Sequence, residues 1–179
     1  MDRENGNNIS SNNEQLNDIM NNYKILSTMS TKKYSKFTIG GLMLARIISV
    51  YDGDTITAGI LLNLNGIYSP IKINMRCLGY NAPEMKVAAE KELATACRDY
   101  LRSLIHDKVV LLDIKDEMDK YGRCLGTIYY IYGGITNEHI EKTDNRMDVL
   151  RAMCGNITET MLSNTCCRPY DGGARTTFS

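Results

Sequence analysis

Hydrophobic and polar residues alternate over much of the first half of the chain, and this pattern predicts β-strands. The segments Leu42–Val50 and Thr55–Leu62 are strand-like, and the turn Tyr51-Asp52-Gly53-Asp54 between them predicts a hairpin. Pro70–Leu78 alternates as a third strand. Its alternate positions place four side chains on one face: Ile71, Ile73, Met75 and Cys77.

The period then changes to that of a helix. Val87–Ile105 carries apolar residues at helical spacing and charged residues on the opposite side. Two further apolar segments, Lys108–Ile114 and Cys124–Tyr132, are predicted strands. The order β-β-β-α-β-β is that of a five-stranded oligonucleotide-binding (OB-fold) barrel, a mainly β fold with helices of the α+β class, although other small α+β folds share it.

The pattern weakens after Tyr132, where we expect a C-terminal helical segment. Residues 133–144 are loop-like, and Arg146–Cys154 has the pattern of a short helix. Asn156 is a candidate N-cap for a further helical turn over Ile157–Leu162. From Arg168 onward the sequence predicts an exposed coil.

The N-terminal region differs from the rest of the chain. Residues 1–22 are rich in asparagine and lack a hydrophobic period, which predicts disorder. Lys32, Lys33 and Lys36 follow; they are typical of a solvated linker, and a basic arm touching a nucleic-acid backbone is the alternative. We therefore divide the chain into a disordered arm, 1–38, and a folded domain, 39–179. The domain comprises a core, 43–132, and an insertion with a helical tail, 133–179.

Composition narrows the class of protein. No segment is apolar enough for a membrane helix and no secretory signal is evident, so we expect a soluble intracellular protein. The six cysteines include no C-x-x-C pair, which favours reduced and mostly buried thiols. The 21 basic and 21 acidic residues argue against gripping nucleic acid by charge alone. They remain compatible with an enzyme that holds one phosphate through two arginines.

Three polar clusters are candidates for chemistry: Asp52-Gly53-Asp54, Arg76 with Glu84, and Asp119-Lys120-Tyr121-Gly122-Arg123. Taken singly, each has an ordinary explanation as a hairpin turn, a surface ion pair or a charged turn. Together they supply oxygen ligands for a hard cation, a carboxylate that can orient water, and two guanidinium groups. Phosphodiester hydrolysis needs a cation or a guanidinium to stabilise charge on the phosphoryl oxygens, a carboxylate for the nucleophile and a donor near the leaving oxygen. In the predicted barrel they lie on loops or strand ends that could converge at one mouth.

These segments resemble the staphylococcal nuclease (thermonuclease) family. Ala45–Ile56, Arg76–Glu84 and Asp119–Arg123 occur in the family's order, with the helix between the second and the third. The resemblance covers about residues 43–132. It implies a Ca²⁺-dependent nuclease that hydrolyses DNA and/or RNA at the P–O5′ bond and leaves 3′-phosphate ends. We expect a monomer whose partner is the nucleic-acid substrate and which does not bind a membrane.

The resemblance also implies a metal site. Asp54 matches a carboxylate ligand of Ca²⁺, Asp52 matches the acid beside it, and Ala82 matches the residue that lends its backbone carbonyl. Asn81 stands where the family usually has a second ligand aspartate. An amide oxygen can coordinate Ca²⁺, but affinity follows ligand charge, so we expect a loss of roughly 1–3 kcal/mol in Ca²⁺ binding.

The remaining positions concern catalysis and substrate. By resemblance, Arg76 and Arg123 bind the phosphate and stabilise its transition state, and Glu84 activates or orients the attacking water. Lys120 and Tyr121 match positions near a neighbouring phosphate of the substrate.

The chain departs from the family after Tyr132, where about 20 residues are inserted and the third helix has no counterpart. In that region the family's base-stacking tyrosines are reduced to Tyr170 at best. A non-catalytic or weakly active OB-fold module that binds nucleic acid is therefore the alternative function. Such modules usually lose the glutamate and the arginines, whereas Arg76, Glu84 and Arg123 are all present here.

Overall fold

The computed structural model describes residues 7–30, 38–173 and 178, with side chains from residue 16 onward. The chain divides into two compact units, Met1–Phe37 and Thr38–Ser179. The first unit contains helix α1, Asn7–Thr28, whose described side chains are exposed. Lys32, Lys33 and Lys36 lie outside the described residues.

Helix α1 corrects the prediction of disorder for residues 7–28. Helical hydrogen bonds are local, and asparagine lowers helix propensity by less than about 1 kcal/mol per residue relative to alanine. The composition therefore did not prevent a helix. Leu16, Ile19, Met20 and Tyr23 in fact follow a helical spacing that the asparagine content obscured.

The second unit is built on a closed five-stranded barrel. Its strands are β1 (Gly41–Asp52), β2 (Thr55–Leu64), β3 (Ile67–Cys77), β5 (Val109–Met118) and β6 (Cys124–Tyr130), with the short strand β4 (Gly79–Asn81) after β3. Neighbours pair antiparallel in the order β3-β2-β1-β5-β6, and parallel pairing of β3 with β6 closes the barrel. Helix α2, Lys91–Ile105, follows a 3₁₀ turn, Ala88–Glu90, and lies between β4 and β5 in the chain. The predicted OB-fold barrel and its element order are confirmed.

Alternate strand positions point into the barrel, as the period-two pattern predicted. Ile73, Met75 and Cys77 of β3 are buried, and Ile71 packs against them. Helix α2 contributes residues at helical spacing to the same core: Cys97, Leu101, Leu104 and Ile105. Burial of each large side chain stabilises the fold by about 1.5–3 kcal/mol.

Strand register brings the polar clusters to one end of the barrel. Thr55, the first residue of β2, lies opposite Arg76 near the end of β3. Met75 and Arg76 pair with Cys124 and Leu125, the first two residues of β6. The turn before β2 and the loop before β6 therefore both meet the end of β3.

The region after β6 holds three short helices: α3 (Asn137–Glu141), α4 (Met147–Met153) and α5 (Ile157–Asn164). The predicted helix near 146–154 is confirmed. So is the cap at Asn156, whose side chain accepts a hydrogen bond from the Thr158 N–H at 2.8 Å. The loop prediction for 133–144 missed α3, a single turn whose capping box is formed by Thr136 and His139.

Residues 168–173 are largely exposed, as the sequence predicted, but the first three of them form a strand rather than a coil. Strand β7, Gly155–Asn156, extends the main sheet beside β6. Strand β8, Arg168–Tyr170, pairs antiparallel with β4, and Asn81 lies opposite Arg168. This pairing is non-local, so the polar composition of the segment carried no sign of it. Within the described residues, no helix is long and apolar enough to cross a membrane.

Candidate functional site

The carboxylate of Asp54 is the centre of the polar cluster at this end of the barrel. The residue is 5% exposed. Its Oδ1 accepts a hydrogen bond from the Thr55 hydroxyl at 3.1 Å, and its Oδ2 accepts one from the Ala82 N–H at 2.9 Å. Oδ2 also forms an ion pair with Nη1 of Arg76. A charge removed from water needs such partners, because its desolvation is costly.

Arg76 connects the Asp52-Gly53-Asp54 turn to the residues that follow β3. While Nη1 contacts Asp54, Nη2 donates to the Asn81 side-chain oxygen at 2.8 Å and to the Tyr80 carbonyl at 3.4 Å. Burial lowers the pKa of the Arg76 guanidinium, although nearby groups including Asp52 oppose the shift. The guanidinium plane is thus fixed by a carboxylate on one side and an amide on the other.

Arg123 connects the loop Asp119–Arg123 to the same polar cluster. Its Nε donates to Asp119 at 2.7 Å, and its Nη1 donates to the Thr55 hydroxyl at 3.2 Å. Because that hydroxyl donates in turn to Asp54, an unbroken hydrogen-bonded chain runs from Arg123 through Thr55 and Asp54 to Arg76.

Asp119 shapes the loop that carries Arg123. Its Oδ1 accepts from the backbone N–H groups of Tyr121 and Arg123, each at 2.9 Å. Burial raises the pKa of Asp119, but the hydrogen bonds from Arg123 and Tyr121 outweigh it and the net shift is downward. Asp119 therefore serves as a turn-forming acceptor and as the counter-charge of Arg123.

The turn that carries Asp54 is packed closely against its neighbours. A Cβ atom at Gly53 would lie 2.7 Å from the Ala82 Cβ and 2.9 Å from the Cys97 Cβ, so only glycine fits there. The hydroxyl of buried Tyr80 donates to the Gly53 carbonyl at 2.8 Å. Burial raises the pKa of Asp52, which Thr55 and the arginines partly offset.

A cavity of about 910 Å³ opens beside the two arginines. Lys120, Tyr121 and Tyr170 line it together with Arg76 and Arg123. The Tyr121 ring, in a residue that is 72% exposed, lies 5.5 Å from the Arg123 guanidinium, and the Tyr170 ring lies 5.8 Å from that of Arg76. The cavity therefore combines three cationic side chains and two aromatic rings with three carboxylates, from Glu117, Asp119 and Asp171.

Glu84, the predicted water-orienting residue, does not line the cavity beside the two arginines. It lies in the exposed loop after β4 and is not among the described residues that line the cavity. Its backbone N–H donates to the side chain of Glu90 at 2.9 Å. Glu90 is 3% exposed, and its other oxygen accepts from the Phe178 N–H at 3.1 Å.

Glu90 is a positioning residue that the sequence did not reveal. An acidic residue at the start of an amphipathic helix is normally solvated, and only the folded chain shows that this one is buried and fixes the Glu84 loop. Tyr80 was missed for a similar reason, since its tertiary bond to Gly53 has no sequence signature.

Asp54 and Asn81, two of the expected metal ligands, lie close together, but both contact Arg76. Asp54 and Asn81 supply oxygen donors that suit a hard cation. However, Asp54 Oδ2 and Asn81 Oδ1 both contact Arg76, and the Ala82 contact to Asp54 is made by its N–H. Asn81 Nδ2 is buried without a hydrogen-bond partner, alone among side-chain nitrogens and oxygens in the described part of the chain. The donor type therefore fits Ca²⁺, but the cation would compete with Arg76.

Fold and site together define a class: an OB-fold barrel with two arginines held at one end around a buried carboxylate. Residues 74–151 match the family model described as staphylococcal nuclease homologue. The matched segment contains Arg76–Glu84 and Asp119–Arg123, while the Asp52-Gly53-Asp54 turn precedes it. No match was found among curated proteins. The resemblance to the staphylococcal nuclease family is confirmed over residues 74–151.

The central position of Thr55 can be tested with two substitutions. Thr55→Val keeps the shape of the side chain but removes the hydroxyl that bonds both Asp54 and Arg123. We expect the free energy of unfolding, measured by urea denaturation, to fall by about 1–3 kcal/mol. The control Thr55→Ser keeps the hydroxyl and should lose only about 0.8 kcal/mol for the missing methyl group. A valine variant as stable as the serine variant would contradict the linking role.

Proposed function

We propose that this chain is a Ca²⁺-dependent nuclease that hydrolyses phosphodiester bonds of DNA and/or RNA. The observation that carries the proposal is the pair of arginines, Arg76 and Arg123. They come from separate motifs, belong to one hydrogen-bonded chain and line one cavity. A guanidinium presents planar, paired donors that match phosphate oxygens.

The chemistry follows from the charge that develops on the phosphate. Attack by water on phosphorus adds negative charge to the phosphoryl oxygens, and pre-oriented donors stabilise that charge without reorganising. Arg76 is held largely out of water, which strengthens its interaction with an anion. Breakage of the P–O5′ bond then gives a 3′-phosphate and a 5′-hydroxyl, with a proton passing to the leaving oxygen.

Glu84 is the group that we assign to the attacking water. The residue is exposed, and its backbone N–H is anchored by Glu90. Catalytic contacts are often long before substrate binds and tighten in the complex. Anchoring by Glu90 would limit the positions that the carboxylate can reach.

Asp54, Asn81 and the Ala82 carbonyl are the groups that would hold Ca²⁺. When bound, the ion would supply positive charge against the phosphoryl oxygens. Arg76 must share Asp54 and Asn81 with it, because both side chains contact the guanidinium. Transfer of Arg76 from these side chains to a substrate phosphate would relieve that competition.

Tyr121, Tyr170 and Lys120 provide the means of holding a nucleotide. Exposed aromatic rings stack on bases of any sequence, and Lys120 adds positive charge close to Tyr121, with its Nζ 5.1 Å from the ring. The three carboxylates of the cavity lining formally balance its three cationic side chains, so a phosphate would be held through oriented donors rather than through net positive charge.

A non-catalytic nucleic-acid-binding module is the second candidate. It is favoured by the exposed position of Glu84 outside the cavity lining and by the missing carboxylate at Asn81. Such a module would bind oligonucleotides through the same arginines but would not cleave them. Binding and cleavage must therefore be measured on the same variants.

The arginines provide the sharpest test of this proposal. We expect Arg76→Lys and Arg123→Lys each to reduce turnover of single-stranded DNA or RNA at least ~100-fold, because lysine keeps the charge but loses the planar pair of donors. Far-ultraviolet circular dichroism should remain that of the folded chain.

Arg46→Lys is the matched control, since Arg46 lies on β1 and pairs with Asp107 at an exposed position. It should cleave like the unmodified protein. Wild-type rates in both site variants would contradict the assignment of the arginines. Oligonucleotide binding without cleavage by the unmodified protein would favour the second candidate.

The metal site leads to a separate prediction. Cleavage should require Ca²⁺ and stop in excess chelator. Asn81→Asp should lower the Ca²⁺ concentration for half-maximal activity by ~10-fold or more, because it restores a charge at ligand distance. Calorimetric titration with Ca²⁺ should show the same gain in affinity.

Asn74→Asp is the control, because Asn74 is an exposed β3 residue whose side-chain oxygen accepts from Thr57. It should leave the Ca²⁺ dependence unchanged. Full activity in chelator would disprove the metal assignment, and an unchanged Ca²⁺ requirement in Asn81→Asp would place Asn81 outside the ligand set.

A further inference from the structure

Three thiols lie close together beside the turn at Gly53. Cys97 projects from α2, while Cys166 and Cys167 lie between α5 and β8. The Cys97 sulfur is 3.1 Å from that of Cys166 and 3.9 Å from that of Cys167. We propose that Cys97 and Cys166 are a redox modification site, where oxidation by a hydroperoxide forms a disulfide that ties the C-terminal segment, residues 166–173, to α2.

Geometry selects this pair. A disulfide requires a sulfur–sulfur distance of about 2.05 Å, so Cys97 and Cys166 must approach by only about 1 Å. Cys167 is farther from Cys97 and is buried, as Cys97 itself is, whereas Cys166 is half-buried and is the member of the pair that reaches solvent. No group of three or more Cys, His, Asp or Glu side chains in the described ranges is arranged to hold a metal ion. Oxidation therefore fits the cluster better than metal binding.

Oxidation of this pair would affect the cavity, because Cys166 lies just before β8 in the chain. Directly after the two cysteines, β8 pairs with β4, and Tyr170 lines the cavity at 5.8 Å from the Arg76 guanidinium. Cys97 is also in contact distance of the turn at Gly53. A bond between Cys97 and Cys166 would therefore secure one wall of the cavity to the helix behind the turn.

The acidities of the two thiols suit a two-step reaction. Hydrogen bonds, first from Cys167 and then from Cys166 and Thr165, lower the pKa of Cys97 to about 6 against the effect of burial. Cys97 is then the thiolate that attacks. Burial, together with the bond to Cys97 and its charge, raises the pKa of Cys166 to about 12. Oxidation of Cys97 removes that negative charge and so makes Cys166 easier to deprotonate.

The steps balance with a hydroperoxide as oxidant. The Cys97 thiolate attacks one peroxide oxygen, the O–O bond breaks, and a sulfenic acid forms while the other oxygen leaves as an alcohol or as water after protonation. Cys166 then loses its proton and attacks the sulfenic sulfur. The S–S bond forms and the S–O bond breaks, releasing water. In total, two thiols are oxidised by two electrons and one peroxide is reduced.

The test treats the full chain with hydrogen peroxide, blocks free thiols by alkylation, and maps peptides by mass spectrometry. We expect a Cys97–Cys166 peptide lacking two hydrogens and reversed by dithiothreitol. The bond closes a loop between residues 69 positions apart, so the melting temperature should rise by roughly 5–15 °C. Amide exchange over residues 168–173 should slow in parallel.

Cys166→Ser is the informative variant, because its half-buried position tolerates the change better than buried Cys97 would. It should abolish both the linked peptide and the rise in melting temperature. Cys154→Ser, at a half-buried cysteine on another part of the domain, should retain both. A Cys166–Cys167 or Cys97–Cys167 bond, no bond, or an undiminished rise in Cys166→Ser would overturn the proposal. None of these readouts depends on nuclease activity.

Discussion

A single buried carboxylate organises this end of the barrel. Asp54 accepts from Thr55 and Ala82 and pairs with Arg76, and through Thr55 it is connected to Arg123. Removing one partner from a buried ion pair typically costs about 3–5 kcal/mol, because the other charge is left without compensation. The fold is therefore constrained to bring these groups together. The same contacts orient the two guanidinium groups, which neutralise Asp54 and its acidic neighbours when no anion is bound.

This arrangement connects stability with the proposed chemistry. Arg76 serves as the counter-ion of Asp54, so any cation that binds Asp54 and any phosphate that binds Arg76 act on the same contacts. Asn81 presents an amide to this contact, and its Nδ2 is buried without a hydrogen-bond partner. On the proposed assignment, a cation at Asp54 and Asn81 would displace Arg76 towards the substrate phosphate, so cation and phosphate would favour each other's binding.

The barrel was predictable because its signals are local. The alternating strands, the amphipathic helix α2 and the Asp-Gly turn can each be recognised from a short stretch of sequence. The order of these elements then favours the five-stranded barrel. Non-local pairing was not predictable: β8 against β4 and the burial of Glu90 depend on residues far apart in sequence. For the site, the motifs identified Asp54, Arg76 and Arg123. Thr55 was predicted only as the first residue of a strand, because its double hydrogen bond exists only after the strands pair.

We propose that the arginines held through Asp54 act on a phosphodiester bond. The decisive experiment incubates the protein with a defined single-stranded oligonucleotide and Ca²⁺ and determines the ends of the products by mass spectrometry. We expect fragments with 3′-phosphate and 5′-hydroxyl ends. Fragments with 5′-phosphate ends would mean that the other P–O bond is broken. Intact oligonucleotide under conditions where it is bound would mean that the site recognises phosphate without cleaving it.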